Sequence, residues 1–284
     1  MEASIRELAA RKYTTSGRHG LDPVKVARYL EQIIDEDYRK LVAYILAQTV
    51  YITMDELIEM TRRLVGKALT ELEGRDFYIL LPTKVGSEWW FTAQCYDLYR
   101  DHPLFRGFIS PLSYVESGVI LIIDDAIYSG FNLIQIFDDF CNPFRENPID
   151  MKRLSFRIIT PITTTTGPFN IEDTGTGKEM KELRFYSERS FTPLMHLIPN
   201  SGYDDDFLEI PENSYTSTLP EELQGSFRKY FFNAKKIDFM HIYASVPLIF
   251  DHKVANEYGS FPEIYLEGLE GTLLMMPPDR TMLA

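Results

Sequence analysis

Val119 to Ile123, VILII, is the stretch that most narrows what this chain can fold into. Five apolar residues follow one another, and two aspartates, Asp124 and Asp125, come straight after them. The run falls far below the roughly 20 residues that span a bilayer, and its β-branched residues favour an extended backbone. It reads as a strand buried on both faces, which requires helices on both sides of its sheet. The neighbouring sequence keeps that rhythm. FYILL at 77–81, closed by Pro82, and PLFRGFI at 103–109 read as strands, and Glu88 to about Arg100 between them reads as an aromatic-rich helix. Leu133 to Phe140 carries Ile134, Ile136, Phe137 and Phe140 and reads as a helix, and RLSFRIITPI from Arg153 reads as a strand again. Strands alternating with helices imply crossover units around a central parallel sheet flanked by helices, an α/β fold.

The ends of the chain differ from this middle. Residues 1–20 are polar and read as an arm. Asp22-Pro23 reads as a helix start, followed by Val26, Leu30, Ile33, Ile34, Leu41 and Ile45 at helical spacing. Thr53 and Glu56 form a capping-box pattern for a second helix with Leu57, Leu64, Ala68, Leu69 and Leu72 on one stripe and Gly74 as its stop. Residues 1–75 are thus expected to form an arm and helical region packed on the core, and 76–284 an α/β domain with a C-terminal extension. Residues 163–220 are rich in Thr, Gly, Pro, Asn and Asp, and a structureless loop of that length implies hidden short strands or an insertion. Phe239 to Phe250 reads as strand material.

Composition limits the partners. Across 284 residues the net charge is −13, which argues against a general nucleic-acid binder. A small phosphorylated ligand needs only a local positive site and stays open. Two cysteines, Cys95 and Cys141, are too few for a disulfide framework, and no stretch reads as a leader or a membrane span. A soluble, cytoplasmic protein is expected.

In open parallel sheets, ligands bind beyond the carboxyl ends of the strands, where Asp124 and Asp125 stand. The loop Ala126–Asn132 then leads into a helix, whose first backbone N–H groups favour an anion. Ser129 offers a hydroxyl, and Gly130 permits close approach or a positive φ. Carboxylates can bond sugar hydroxyls, and an amide-lined loop can hold a phosphate. A surface turn made of Asp-Asp and Ser-Gly is the competing explanation.

VILIIDDAIYSGFN, 119–132, resembles the phosphoribosyl-pyrophosphate (PRPP) binding motif of the type I phosphoribosyltransferases. That motif is an apolar strand, two acidic residues, a few variable positions and Thr/Ser-Gly-x-Thr/Ser. The resemblance implies that Asp124 and Asp125 are the catalytic pair, holding the ribose hydroxyls and facing the charge that develops on the sugar. It implies that Ala126, Ile127, Tyr128, Ser129, Gly130, Phe131 and Asn132 surround the 5′-phosphate. Asn132 departs from the usual Thr or Ser. Tyr128 departs from members with an acidic base there, which counts against purine-salvage chemistry. The family's second element, a pyrophosphate loop after the first core strand, is matched by FYILLPTKVGSE. Lys84 would reach the pyrophosphate as a point charge, and Val85, Gly86 and Ser87 would supply backbone donors.

The implied fold is phosphoribosyltransferase-like, with an N-terminal helical layer and a C-terminal hood. The implied activity is transfer of ribose 5-phosphate from PRPP to a small-molecule acceptor, a nucleobase among the candidates, with release of pyrophosphate. The alternative is a non-catalytic protein of this fold that binds PRPP or a nucleotide as a regulator or sensor. Mg²⁺ is the implied cofactor, held mostly by substrate oxygens, with Asp124 or Asp125 open as direct partners. Asp251, His252 and Lys253, after an apolar run, are candidates for the acceptor hood, and a surface turn explains them equally well. A homodimer is compatible with all of this. Three other stretches are weaker. DTGTGKEM, 173–180, lacks the Ser/Thr and the spacing of a phosphate-binding P-loop. Asp204–Asp206 reads as a solvated acidic loop, and His241 as a core residue. Trp89 and Trp90, as neighbours on one helix, are not expected to face inward together.

Overall fold

The computed structural model describes residues 27, 30–47, 50–84, 86–111, 113–127, 130–145, 153–164, 166–172, 182–191, 220–227 and 248–250. Among them the chain separates into two compact units, one holding 55–190 and the other holding the described residues of 30–54 and 191–250.

The first unit is built on five parallel strands: β2 (Phe77–Leu80), β3 (Phe105–Ile109), β4 (Gly118–Ile123), β6 (Leu154–Ile159) and β8 (Glu182–Tyr186). Their spatial order is β3-β2-β4-β6-β8, which in chain order is 2-1-3-4-5. Strand β4 is central, and Val119 to Ile123 are all fully buried. On one face Ile120 and Ile122 join Phe156, Ile158 and the inner residues of α5 (Phe131–Arg145) in a single apolar cluster. Phe156 meets Phe137 and Phe140 edge to face there. On the other face lies α2 (Met54–Thr70), whose buried stripe includes Leu57, Leu64, Val65 and Ala68. The expected parallel sheet between helices is thus present, and its central strand is apolar throughout because both faces are covered.

The strands do not simply end at the acidic pair. Three neighbours break at the same level and resume as a second sheet of short strands, β5 (Ala126–Ile127), β7 (Ile162–Thr164) and β9 (Arg189–Phe191), in the order β5-β7-β9. Across the break, the Asp124 N–H donates to the Ile159 carbonyl at 3.0 Å and the Thr160 N–H to the Tyr186 carbonyl at 2.9 Å. This corrects two expectations. RLSFRIITPI is two strands with a bend at Thr160-Pro161, and Ala126 and Ile127 belong to a strand paired with Ile162 and Thr163 instead of an open loop. The region after Ile162 contains the hidden strands that its length implied, including β8 of the main sheet.

The crossover after β2 holds α3 (Ser87–Gln94) and α4 (Tyr96–Tyr99), so the expected single helix is two with a break at Cys95. A short α6 (Thr166–Glu172) follows β7. The helix α2 belongs to the sheet unit from Asp55 onward. Buried Arg157, on β6, is the reason. Its guanidinium donates to the carbonyls of Ala68 and Glu71 at the end of α2 and to the Tyr186 hydroxyl, which in turn donates to the Glu71 carboxylate. Arg63 of α2 also grips Glu188 with two bonds of 2.8 Å.

The second unit holds α1 (Glu36–Ala47), β1 (Val50–Ile52), α7 (Glu221–Phe227) and β10 (Leu248–Phe250). Helix α1 packs on α7, and β1 pairs in parallel with β10. The Asp35 carboxylate accepts from the N–H groups of Asp37 and Tyr38 and so starts α1 afresh at Glu36. Ile34, expected on a continuous apolar stripe, is consequently 98% exposed in the break before that helix. Among the described residues no helix is long and apolar enough to cross a membrane.

Candidate functional site

In the order 2-1-3-4-5 the chain leaves β2 toward one edge, to β3, and returns on the other side of β2 as β4. The loops after β2 and β4 therefore diverge, and this switch point is where such sheets bind ligands. They are also the two loops that the sequence nominated separately, 84–87 and 124–132. The structure brings them together. The Ser87 hydroxyl donates to Asp124 Oδ1 at 2.7 Å, and the Asn132 amide donates to Glu88 Oε1 at 2.9 Å.

Asp124 and Asp125 are 4% and 2% exposed. They are buried because they occupy the bend between the two sheets. Asp124 Oδ1 also accepts from the Asp125 N–H at 2.8 Å, so one of its oxygens is oriented by two donors. A carboxylate fixed this way is pre-positioned for a ligand that reaches the bend. Asp125 follows it in the chain at the same bend.

Gly130 has a φ of 82°, in the left-handed region. A Cβ there would stand 2.8 Å from the Gly167 carbonyl and 2.9 Å from the Ile171 side chain. Both conformation and space demand glycine, and the Gly130 carbonyl accepts the Ile134 N–H to open α5. Asn132 lies in the first turn of α5, and Phe131 beside it is half exposed. Gly86 precedes α3 with an extended backbone. An added Cβ there would meet Glu88 Oε2, the far end of a flexible side chain, at 2.6 Å. Lys84 is exposed on the same loop.

Glu88 is the site residue that sequence reading missed. It is 5% exposed, and its carboxylate lies over Gly86 with one oxygen bonded to Asn132. The available signal was that Glu88 is the lone charged residue in the aromatic segment SEWWFTAQ. Its pairing also explains Asn132, which has the length to cross between the loops where Ser or Thr would not. Trp89 and Trp90 are both buried, contrary to expectation, because α3 is covered on more than one side. The Trp89 indole N–H donates to the Pro82 carbonyl at 2.9 Å and so braces the Lys84 loop.

Val85, Tyr128, Ser129, Asp251, His252 and Lys253 lie outside the described residues, as do His241, Asp204–Asp206 and 173–180. Among the described residues no cluster of three metal-binding side chains forms. Asp124 and Asp125 do place hard carboxylate oxygens at the bend, the donor type that a magnesium ion takes. Cys95 is buried and free of any disulfide, and burial pushes its thiol up to about 12.

No family model and no curated protein matches this chain. Among solved structures it is similar over part of its length to the AQ2163 protein of Aquifex aeolicus. That match has 12% identity and a TM-score of 0.34, and covers 60% of this chain and 86% of that one. A hypothetical protein from Neisseria gonorrhoeae with bound ppGpp matches at 10% identity and a TM-score of 0.32, covering 50% of this chain and 84% of that one. The Helicobacter pylori xanthine-guanine-hypoxanthine phosphoribosyltransferase matches at 12% identity and a TM-score of 0.30, covering 49% of this chain and 84% of that one. Likenesses at such TM-scores say nothing of what the chain does, and its α/β class rests on its own strand order.

Proposed function

We propose that the chain binds a phosphoribosyl ligand at the switch point between β2 and β4. The observation that carries this reading is the hydrogen bond from Ser87 to Asp124, which joins the two nominated loops at one place. Asp124 and Asp125 hold the ribose hydroxyls, and the segment from Tyr128 to Asn132 holds the 5′-phosphate. With PRPP as ligand, the same arrangement supports transfer of ribose 5-phosphate to an acceptor nitrogen. The two carboxylates then face the positive charge that grows on the sugar in a site shielded from water. Mg²⁺ carried on the diphosphate supplies neutralisation of the leaving group when bound. The 5′-phosphate contacts give remote binding energy that places the reacting carbon. The acceptor hood proposed at Asp251, His252 and Lys253 belongs to this reading.

A second reading, binding of a phosphoribosyl ligand or nucleotide without transfer, is favoured by one observation. The Glu88 carboxylate lies over Gly86, in the loop that would receive the leaving pyrophosphate. Calorimetric titration with ribose 5-phosphate, and with PRPP and Mg²⁺, tests the common claim. Binding to the wild type that is lost in Asp125→Asn is expected, whereas no heat with either ligand contradicts it. Pyrophosphate release from PRPP across a panel of nucleobases then separates transfer from binding alone.

A further inference from the structure

We infer that Glu88 is a specificity-determining residue that selects a ligand with a single phosphate, such as ribose 5-phosphate or a nucleoside monophosphate, over one with a diphosphate on the ribose. The inference rests on the phosphoribosyl reading and names the ligand class within it. Glu88 sits between the two loops. Its Oε1 accepts from Asn132 at the start of α5, and its Oε2 fills the space beside Gly86 where a Cβ would stand. One carboxylate oxygen is therefore held by a hydrogen bond from the 5′-phosphate side, and the other stands beside Gly86 on the pyrophosphate side. This leaves Gly86 covered by an anion that belongs to the protein.

Charge decides what this does. A carboxylate almost removed from water interacts with a nearby anion far more strongly than an exposed charge does. Lys84 is the cation on the same loop, and it is exposed, so solvent screens its attraction for a second phosphate. Asp124 adds no compensation, because it is itself a carboxylate whose Oδ1 is already held by Ser87 and by the Asp125 N–H. Arriving at Gly86, a diphosphate meets like charge and an occupied volume, which is discrimination by repulsion. A 5′-phosphate, held in this reading by the other loop, is spared.

The test uses the full chain, with calorimetric titration of ribose 5-phosphate and of PRPP, the latter with and without Mg²⁺. The wild type is expected to bind ribose 5-phosphate at least as tightly as PRPP. Glu88→Gln keeps an acceptor for Asn132 and nearly the same volume, so it removes the charge and little else. It is expected to tighten PRPP by about tenfold or more, with ribose 5-phosphate unchanged within about twofold. A variant that changes both affinities alike, or neither, overturns the inference. So does a wild type that prefers PRPP by more than about tenfold in the absence of Mg²⁺, an outcome that needs no variant to fold. A wild type that binds neither ligand overturns the phosphoribosyl reading itself, and with it the inference.

Discussion

At the scale of single residues, space and burial decide more than conformation alone. Gly118 opens β4 with a φ of 131°, and a Cβ there would stand 2.8 Å from the Asp76 carbonyl. Gly118→Ala is expected to destabilise the fold by about 1–3 kcal/mol, read as a fall in the urea midpoint. An unchanged midpoint would contradict that packing. Gly130→Val would push into the Gly167 carbonyl, so it is expected to disturb local structure as well as ligand binding. Cys95 makes a prediction about pH. In the unfolded chain a thiol ionises near pH ~8.5, while burial keeps Cys95 protonated to about 12. Its contribution is whole below pH ~8.5 and is lost as pH rises, because deprotonation favours the unfolded chain. The urea midpoint of the wild type is therefore expected to drop more between about pH 7.5 and pH ~10 than that of Cys95→Ala. Equal drops would show that Cys95 is not sealed off. The need for glycine at 130 was legible in the Ser-Gly pair, and so was the oddity of Asn132. The partner of Asn132 was not, because a bond from one loop to another leaves no trace in local spacing.

Among the elements, the strands with continuous apolar runs were legible and the interrupted ones were not. VILII and FYILL announce burial on both faces, and β4 and β2 follow. LSFRII carries an arginine, which in a strand ordinarily suggests a solvent-facing position. Here Arg157 is fully buried and caps the end of α2, satisfying carbonyls that a helix terminus leaves open. Arg157→Ala is expected to cost about 3–5 kcal/mol, because it strands the Ala68 and Glu71 carbonyls and removes the donor to Tyr186. Chemical denaturation checks this, and a loss below about 1 kcal/mol would mean that α2 is held by its apolar stripe alone. In the sequence the break at Asp124-Asp125 reads as a strand end. Its continuation in β5 depends on β7 breaking at the same level, a pairing that two residues of strand cannot advertise by themselves.

For the molecule as a whole, the decisive fact is strand order. Alternating strands and helices imply a parallel sheet, but not which strands stand side by side, since that is settled by packing between distant segments. The order 2-1-3-4-5 puts the reversal between β2 and β4, and so brings two separate loop motifs together. Amide hydrogen exchange of the full chain with and without saturating ribose 5-phosphate tests this most directly. Slowed exchange is expected in two segments together, 81–88 and 124–134, with both effects lost in Asp125→Asn. Slowing in only one of these segments, or in neither, would contradict it.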